Sequence, residues 1–154
     1  MTGSTMAAGR DPLSLSRQAE DLEGAGRLAD AERLWRGALA GPEQLARFAR
    51  FRLAGLLERL GRTGDVEQIW REAAAAGDAV ARIHLAVLME QRGELAAAEG
   101  WWRAAADAGD ARARRRLVDL LDRQGRTAEA AGLCREAMAA GDATAAARLA
   151  ALLR

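Results

Sequence analysis

Residues 78–110 read DAVARIHLAVLMEQRGELAAAEGWWRAAADAGD, and they contain the clearest signals of the fold of this chain. It opens on an Asp, whose carboxylate can accept hydrogen bonds from the free amides of a first helical turn. Leu85, Leu88 and Met89 follow at the i, i+3, i+4 spacing of an apolar helix face. Gly93 suits the end of this helix, and a second helix carrying Trp102 can then run to the next Gly-Asp. The stretch therefore predicts two helices joined by a short turn.

The same pattern recurs along the chain with a step of 32 residues. Ala-Gly-Asp occurs at 76–78, 108–110 and 140–142. The turn glycine and the large or apolar residue nine positions after it keep the same step, as Gly61 with Trp70, Gly93 with Trp102, and Gly125 with Cys134. Gly26 and Trp35 form an earlier copy, 35 residues before the next. Self-similarity at a fixed period of this length is typical of stacked repeats.

Nine helices are predicted from these signals, at 12–24, 28–40, 42–60, 65–76, 79–92, 95–108, 111–124, 127–140 and 143–153. They group into repeats at 12–41, 42–77, 78–109 and 110–141, followed by a half repeat at 142–154. Pro12 and Pro42 are placed at first helical positions, where a missing amide costs nothing. Residues 1–10 are predicted to be a disordered tail. The helix at 42–60 is about one turn longer than its equivalents and holds both Phe residues of the chain.

The composition agrees with an all-α fold. The 154 residues include 39 Ala and only 11 β-branched side chains, so strand formers are scarce and the best helix former is abundant. This excludes a β-sandwich or a parallel-sheet enzyme. A surplus of Ala with Arg in place of every Lys is typical of a GC-rich, bacterial genome.

The inventory of reactive side chains argues against catalysis. Lys and Tyr are absent, and the chain has one His and one Cys, so a Schiff base, a multi-His metal site and an internal disulfide are excluded. The glycines around Gly24 and Gly61 lack the strand-to-helix context of a phosphate loop, and are predicted to end helices instead. We predict no catalytic, cofactor-binding or metal-binding residue.

From its charge and hydropathy we expect the chain to be a cytoplasmic protein. Its 23 basic and 22 acidic residues give a net charge of +1, which argues against a general binder of nucleic acid. The first ten residues lack the basic and apolar segments of a signal peptide, and no apolar run could span a bilayer. The lone Cys agrees with a reducing compartment.

Most of the distinctive side chains have a structural interpretation. Trp35, Trp70 and Trp102 are predicted to fill the gap between paired helices, and Cys134 is predicted to be a small buried residue in the same column. Trp101 should lie at a boundary or partly in solvent. His84 has no second His to share a metal and is predicted to be structural. Arg82 is placed beside Glu99 of its own repeat, in a surface ladder of ion pairs.

The repeat resembles the tetratricopeptide and SEL-one-like superfamily of helical repeats. The residues that carry the resemblance are Leu85, Ala86, Met89, Gly93, Ala98, Trp102 and Ala105, and the neighbouring repeats keep similar residues at these positions. The Ala-Ala-x-x-Gly-Asp-x-x-Ala linker of residues 105–113 is closer to the SEL-one-like type. The step of 32 residues is shorter than in that superfamily, and the linker proline of tetratricopeptide repeats is absent.

The resemblance implies an α-solenoid of antiparallel helix pairs, about four and a half repeats long, wound as a right-handed superhelix over residues 11–154. In such proteins the first helices line a concave groove that holds a segment of a protein partner. The implied function is a scaffold or adaptor without enzymatic activity. The groove would be apolar in one half and basic in the other, and its predicted contact residues are Phe48, Phe51, Val80, Ile83, Val87, Arg112, Arg115 and Arg123. A clamp of Lys and Asn for a C-terminal carboxylate, known in this superfamily, is not reproduced, since both residue types are absent.

Alternatives from other classes remain open at this point. The cluster Arg112–Arg116 could make the chain a regulatory or assembly subunit that contacts an anionic partner, either an acidic protein or nucleic acid. A small-molecule or catalytic protein would require a polar cavity that the sequence does not indicate. A purely structural spacer is the third alternative. We expect a monomer or a weak dimer through the last helix.

Overall fold

The computed structural model describes residues 11–154, and the predicted tail at 1–10 lies outside this range. In this part of the chain all regular structure is helical, as predicted. The helices are α1 (Pro12–Gly24), α2 (Leu28–Ala38), α3 (Glu43–Arg59), α4 (Thr63–Ala75), α5 (Ala79–Gln91), α6 (Leu95–Asp107), α7 (Ala111–Arg123), α8 (Thr127–Ala139) and α9 (Ala143–Leu152). Each predicted boundary lies within two residues of the observed one. None of the described helices is long and apolar enough to cross a bilayer.

The described residues form two units, one up to Ile69 and one from Trp70 onward, which we call the N-terminal and C-terminal units. In the N-terminal unit α1 packs on α2 and α2 on α3, and α1 also touches α3. In the C-terminal unit each helix from α5 to α9 packs on the next one along the chain. Sequential packing of this kind is the arrangement that stacked helix pairs produce.

The Gly-Asp pairs join one helix to the next in the way that the sequence predicts. Gly109 has a φ of +94°, in the left-handed region that favours glycine. Its amide donates to the Ala106 carbonyl at 2.9 Å, and the Asp110 amide donates to the Ala105 carbonyl at 3.1 Å, so the last carbonyls of α6 are satisfied. The Asp110 carboxylate then accepts from the first-turn amides of α7 at 2.8 Å. One dipeptide therefore ends α6 and starts α7.

Removal of this cap provides a first prediction. We expect Asp110→Ala to lower the free energy of unfolding by about 1 kcal/mol, because two amides of α7 lose their acceptor. Asp110→Asn should retain most of the stability, since an Asn side chain can also accept these hydrogen bonds. Urea denaturation followed by circular dichroism measures the difference. The control is Asp107→Ala, which removes the same charge from α6 without removing a cap. Equal losses for Asp107→Ala and Asp110→Ala would contradict the capping role.

The second repeat departs from the others at its start. α3 is 17 residues long, whereas α5 and α7 each have 13, which confirms the extra turn. Pro42 is the N-cap of α3 and not its first helical residue, so this detail of the prediction is wrong by one position. The ring fixes the Pro42 backbone at a φ of −53°, and its carbonyl accepts from the Ala46 amide at 2.8 Å. Pro42 thus starts the helix without a side-chain cap.

Small side chains allow the helices to approach one another closely. Ala81, Ala98, Ala113 and Ala130 are fully buried in the C-terminal unit, and Ala19, Ala31 and Ala49 are fully buried in the N-terminal unit. Larger residues fill the remaining space, with Trp35, Leu53 and Leu57 in the first unit and Leu85, Met89 and Leu117 in the second. The abundance of Ala in the sequence therefore reflects helix packing and not only helix propensity.

Candidate partner-binding surface

In the C-terminal unit, the predicted contact residues lie on the solvent side of α5 and α7. Val80, Ile83 and Val87 follow one face of α5, and the positions 32 residues later on α7 are Arg112, Arg115 and Asp119. Val80 is 43% exposed, whereas Ile83 and Val87 are half-buried against the core. The same face of the repeat is therefore apolar on α5 and charged on α7.

An ion pair joins these two helices. Arg123 of α7 lies 2.9 Å from the Glu90 carboxylate of α5, and its Nε also donates to the Asp119 carbonyl at 3.3 Å. Arg123 is therefore engaged within the protein, in a surface ion pair between α7 and α5. Arg112 and Arg115 are exposed and form no ion pair with any residue of the range 11–154. Of the three predicted arginines, these two are available to an incoming partner.

The two phenylalanines of α3 have different environments in the N-terminal unit. The Phe48 ring packs edge-to-face on Trp35, with 5.8 Å between ring centroids, so it is partly a core residue. The guanidinium of Arg52 lies 5.7 Å from the centroid of the same Trp35 ring. Phe51 is 60% exposed. Phe51, more than Phe48, is thus a surface residue that a partner could contact.

Several ion pairs connect one repeat with the preceding one. Arg62 lies 2.6 Å from Glu32, and Arg126 lies 2.5 Å from Glu99. The predicted pairing of Arg82 with Glu99 is wrong, because Glu99 is held by Arg126 and by Arg103 of its own helix at 2.9 Å. The hydrogen bond from Arg126 is the main reason that the pKa of Glu99 is lowered. The recurrence of Arg at positions 62 and 126, just before a second helix, is the sequence signal for this pairing.

The tryptophans, the cysteine and the histidine lie where their predicted structural roles require. Trp35, Trp70 and Trp102 are buried, and Cys134 is buried in the same column. Trp101 is half-buried and packs against the core of the C-terminal unit. The His84 ring stacks on Trp70, with centroids 4.1 Å apart and planes at 12°. His84 therefore contributes to packing between α4 and α5.

A cavity of about 260 Å³ lies between α7, α8 and α9, and sequence reasoning missed it. Buried residues of its lining include Val118, Cys134, Ala137 and Ala145. The exposed Arg115 lines it too, so one side chain belongs both to the cavity and to the basic face of α7. The substitution of Cys for Trp in the repeat column was the signal that could have indicated this space.

The described part of the chain contains no group of three or more His, Cys, Asp or Glu side chains placed to hold a metal ion. Comparison of the chain with protein-family models and with curated proteins finds no match. A proposal on function therefore rests on the geometry of this surface and of the cavity.

Proposed function

We propose that this protein is a scaffold of the tetratricopeptide and SEL-one-like type, which binds a segment of a protein partner on the first helices of its repeats. The observation that carries the proposal is the juxtaposition of an apolar face on α5 with an exposed basic face on α7. A segment with one or two apolar side chains next to acidic residues is complementary to this pair of helices.

The apolar half of the surface can bury apolar side chains of the partner. Val80 is exposed at the start of α5, and Ile83 and Val87 continue the same face. An apolar side chain of the partner that covers this stripe removes hydrophobic surface from water, which stabilises a complex by roughly 25 cal/mol per Å² of apolar area.

The basic half of the surface orients the partner segment and increases its rate of association. Arg112 and Arg115 form no ion pair within residues 11–154, so a carboxylate of the partner can pair with them without breaking one. Arg123 is held by Glu90 and contributes only if that pair opens. Exposed charges of one sign steer an oppositely charged partner before contact. We therefore assign the acidic residues of the partner to the Arg112 end of α7.

The experiment is selection of a displayed library of random 12-residue peptides on the immobilised protein. We expect selected peptides to combine apolar and acidic residues. Arg112→Glu/Arg115→Glu should weaken their binding by about tenfold or more, since two attractive contacts become repulsive. The matched control is Arg135→Glu/Arg154→Glu, which makes the same change in net charge away from this face of α7. Affinities are measured by fluorescence anisotropy.

The apolar half is tested separately with Val80→Ser and Val87→Ser. Circular dichroism first verifies that each variant keeps its helical content. If both folded variants and the Arg112→Glu/Arg115→Glu variant bind the selected peptides as tightly as the wild type, the assignment of this surface is wrong.

A second candidate function is a regulatory or assembly subunit that contacts an anionic partner, an acidic protein or nucleic acid, through the basic cluster. The specific observation is that Arg112, Arg114, Arg115 and Arg116 form no ion pair within the described part of the chain. A labelled single-stranded oligonucleotide distinguishes the nucleic-acid form of this function from peptide binding. Strongly salt-dependent binding of the oligonucleotide that Arg112→Glu/Arg115→Glu abolishes would favour it.

A further inference from the structure

The cavity between α7, α8 and α9 lies where the last full repeat has a cysteine in place of the tryptophan of the earlier repeats. Cys134 occupies the position equivalent to Trp102, one repeat step of 32 residues later. Trp102 is 2% exposed and fills the core between its helices. At Cys134 the helical framework continues, but the indole ring is missing and a cavity of about 260 Å³ is present. The cavity therefore corresponds to the space that the indole ring fills in the preceding repeat, and we call it the socket.

The dimensions of this socket suit a single aromatic ring system. An engineered core cavity of about 150 Å³ is known to bind benzene, and drug-sized ligands occupy pockets of about 300–1,000 Å³. The present cavity, at about 260 Å³, lies between these two classes. Val118, Leu133, Cys134, Ala137 and Ala145 provide an apolar lining. A planar group of one or two fused rings fits this volume and this chemistry.

The polar residues of the lining favour a negative charge on the ligand. They are Arg114, Arg115, Asp119, Asp142, Thr144 and Arg148. Arg148 forms an ion pair with Asp119. Asp142 caps α9 by accepting from the Thr144 amide at 2.9 Å and from its hydroxyl at 2.7 Å. The lining holds three arginines and two aspartates, so it carries a net positive charge. The Asp142 carboxylate interacts electrostatically with Arg114 and Arg115, but neither arginine forms an ion pair at contact distance within residues 11–154.

We propose that this cavity binds a small aromatic carboxylate, with the ring in the apolar socket left by the Trp-to-Cys replacement and the carboxylate beside Arg114 and Arg115. This site is separate from the apolar face of α5, and shares with the partner-binding surface only the side chain of Arg115. Burial also raises the pKa of the Cys134 thiol, so this side chain remains neutral and the socket keeps its apolar character.

Three probes with the same ring and different charges test the proposal by isothermal titration calorimetry. Indole-3-acetate is the anion, indole is the neutral form and tryptamine is the cation. We expect indole-3-acetate to bind with a dissociation constant on the order of 1 mM or tighter, as for an efficient ligand of this size. Affinity should fall from indole-3-acetate to indole and again to tryptamine. Absence of indole-3-acetate binding up to about 10 mM would overturn the proposal.

Variants locate the binding site. Cys134→Trp restores the repeat residue and should abolish the binding of all three probes by filling the socket. Ala137→Leu fills the same cavity by a second route, and Ala139→Leu on the exposed side of α8 is its matched control. Arg115→Gln should weaken indole-3-acetate by roughly three- to tenfold and leave indole unchanged. Unchanged binding of indole-3-acetate to a folded Cys134→Trp or Ala137→Leu variant would contradict the assignment.

Alkylation of the wild-type protein tests the same site without requiring any variant to fold. Cys134 is the single cysteine of the chain, so its alkylation by iodoacetamide reports on this cavity alone. Saturating indole-3-acetate should slow the alkylation several-fold, whereas sodium acetate at the same concentration should not. Equal rates with and without indole-3-acetate would place its binding elsewhere and overturn the proposal.

Discussion

Trp102→Ala is expected to lower the free energy of unfolding by about 3–5 kcal/mol, the largest effect of any single substitution considered for this protein. The indole is 2% exposed and packs in the core of the C-terminal unit. Its removal leaves a cavity that the helices on either side can close only in part, because their own backbones are fixed by caps and turns. Chemical denaturation monitored by circular dichroism measures the loss.

Two further variants test whether the loss of stability is specific to the buried Trp102 side chain. Trp101→Ala removes the same side chain one position earlier, where it is half-buried, and should cost clearly less. Trp102→Phe should cost less than Trp102→Ala, because a phenyl ring still fills part of the space and leaves a smaller cavity. Neither variant breaks a hydrogen bond of the indole, since Trp102 Nε1 has no partner within the described structure. If Trp101→Ala destabilises the protein as much as Trp102→Ala, the distinction between the two tryptophans is wrong.

Leu117→Ala is the second substitution with a large expected effect, a loss of about 2–5 kcal/mol. Leu117 is completely buried on α7, in the same core as Trp102 and Leu121. Because each repeat buries its apolar face only against its neighbours, the loss should also loosen the contacts of α7 with α6 and α8. Hydrogen exchange of the α6 and α8 amides should therefore increase together with the fall in stability.

The control for Leu117→Ala is Leu95→Ala at the start of α6. Leu95 is 41% exposed, so its truncation removes little buried surface and should change stability by less than about 1 kcal/mol. A result in which both Leu→Ala variants lose the same stability would show that burial is not what separates them.

Local chemistry explains why the helix boundaries could be predicted from the sequence. Asp110 and Gly109 act on amides and carbonyls a few residues away, and Gly can adopt the positive φ that ends α6. The spacing of Leu85, Leu88 and Met89 likewise defines one face of α5 without reference to any other helix. Such signals operate within one or two helical turns, and this is the range over which sequence patterns are most informative.

The candidate surface could be predicted only in part. The apolar character of Val80, Ile83 and Val87 follows from their spacing on α5. The engagement of Arg123 by Glu90 could not be predicted, because it depends on the distance between α5 and α7 and on side-chain conformation. The same reason explains the wrong partner for Glu99, which pairs with Arg126 of the next repeat and not with Arg82.

The helical class, the helix ends to within two residues and the column of tryptophans all follow from the amino-acid sequence alone, because periodicity, capping and glycine conformation are properties of short segments. Which arginines remain available, and whether the space beside Cys134 stays open, depend on the three-dimensional arrangement of the helices. The first depends on the distance between α5 and α7, and the second on the packing of α7, α8 and α9. A cavity is a property of all the side chains around it, and no single position in the sequence encodes it.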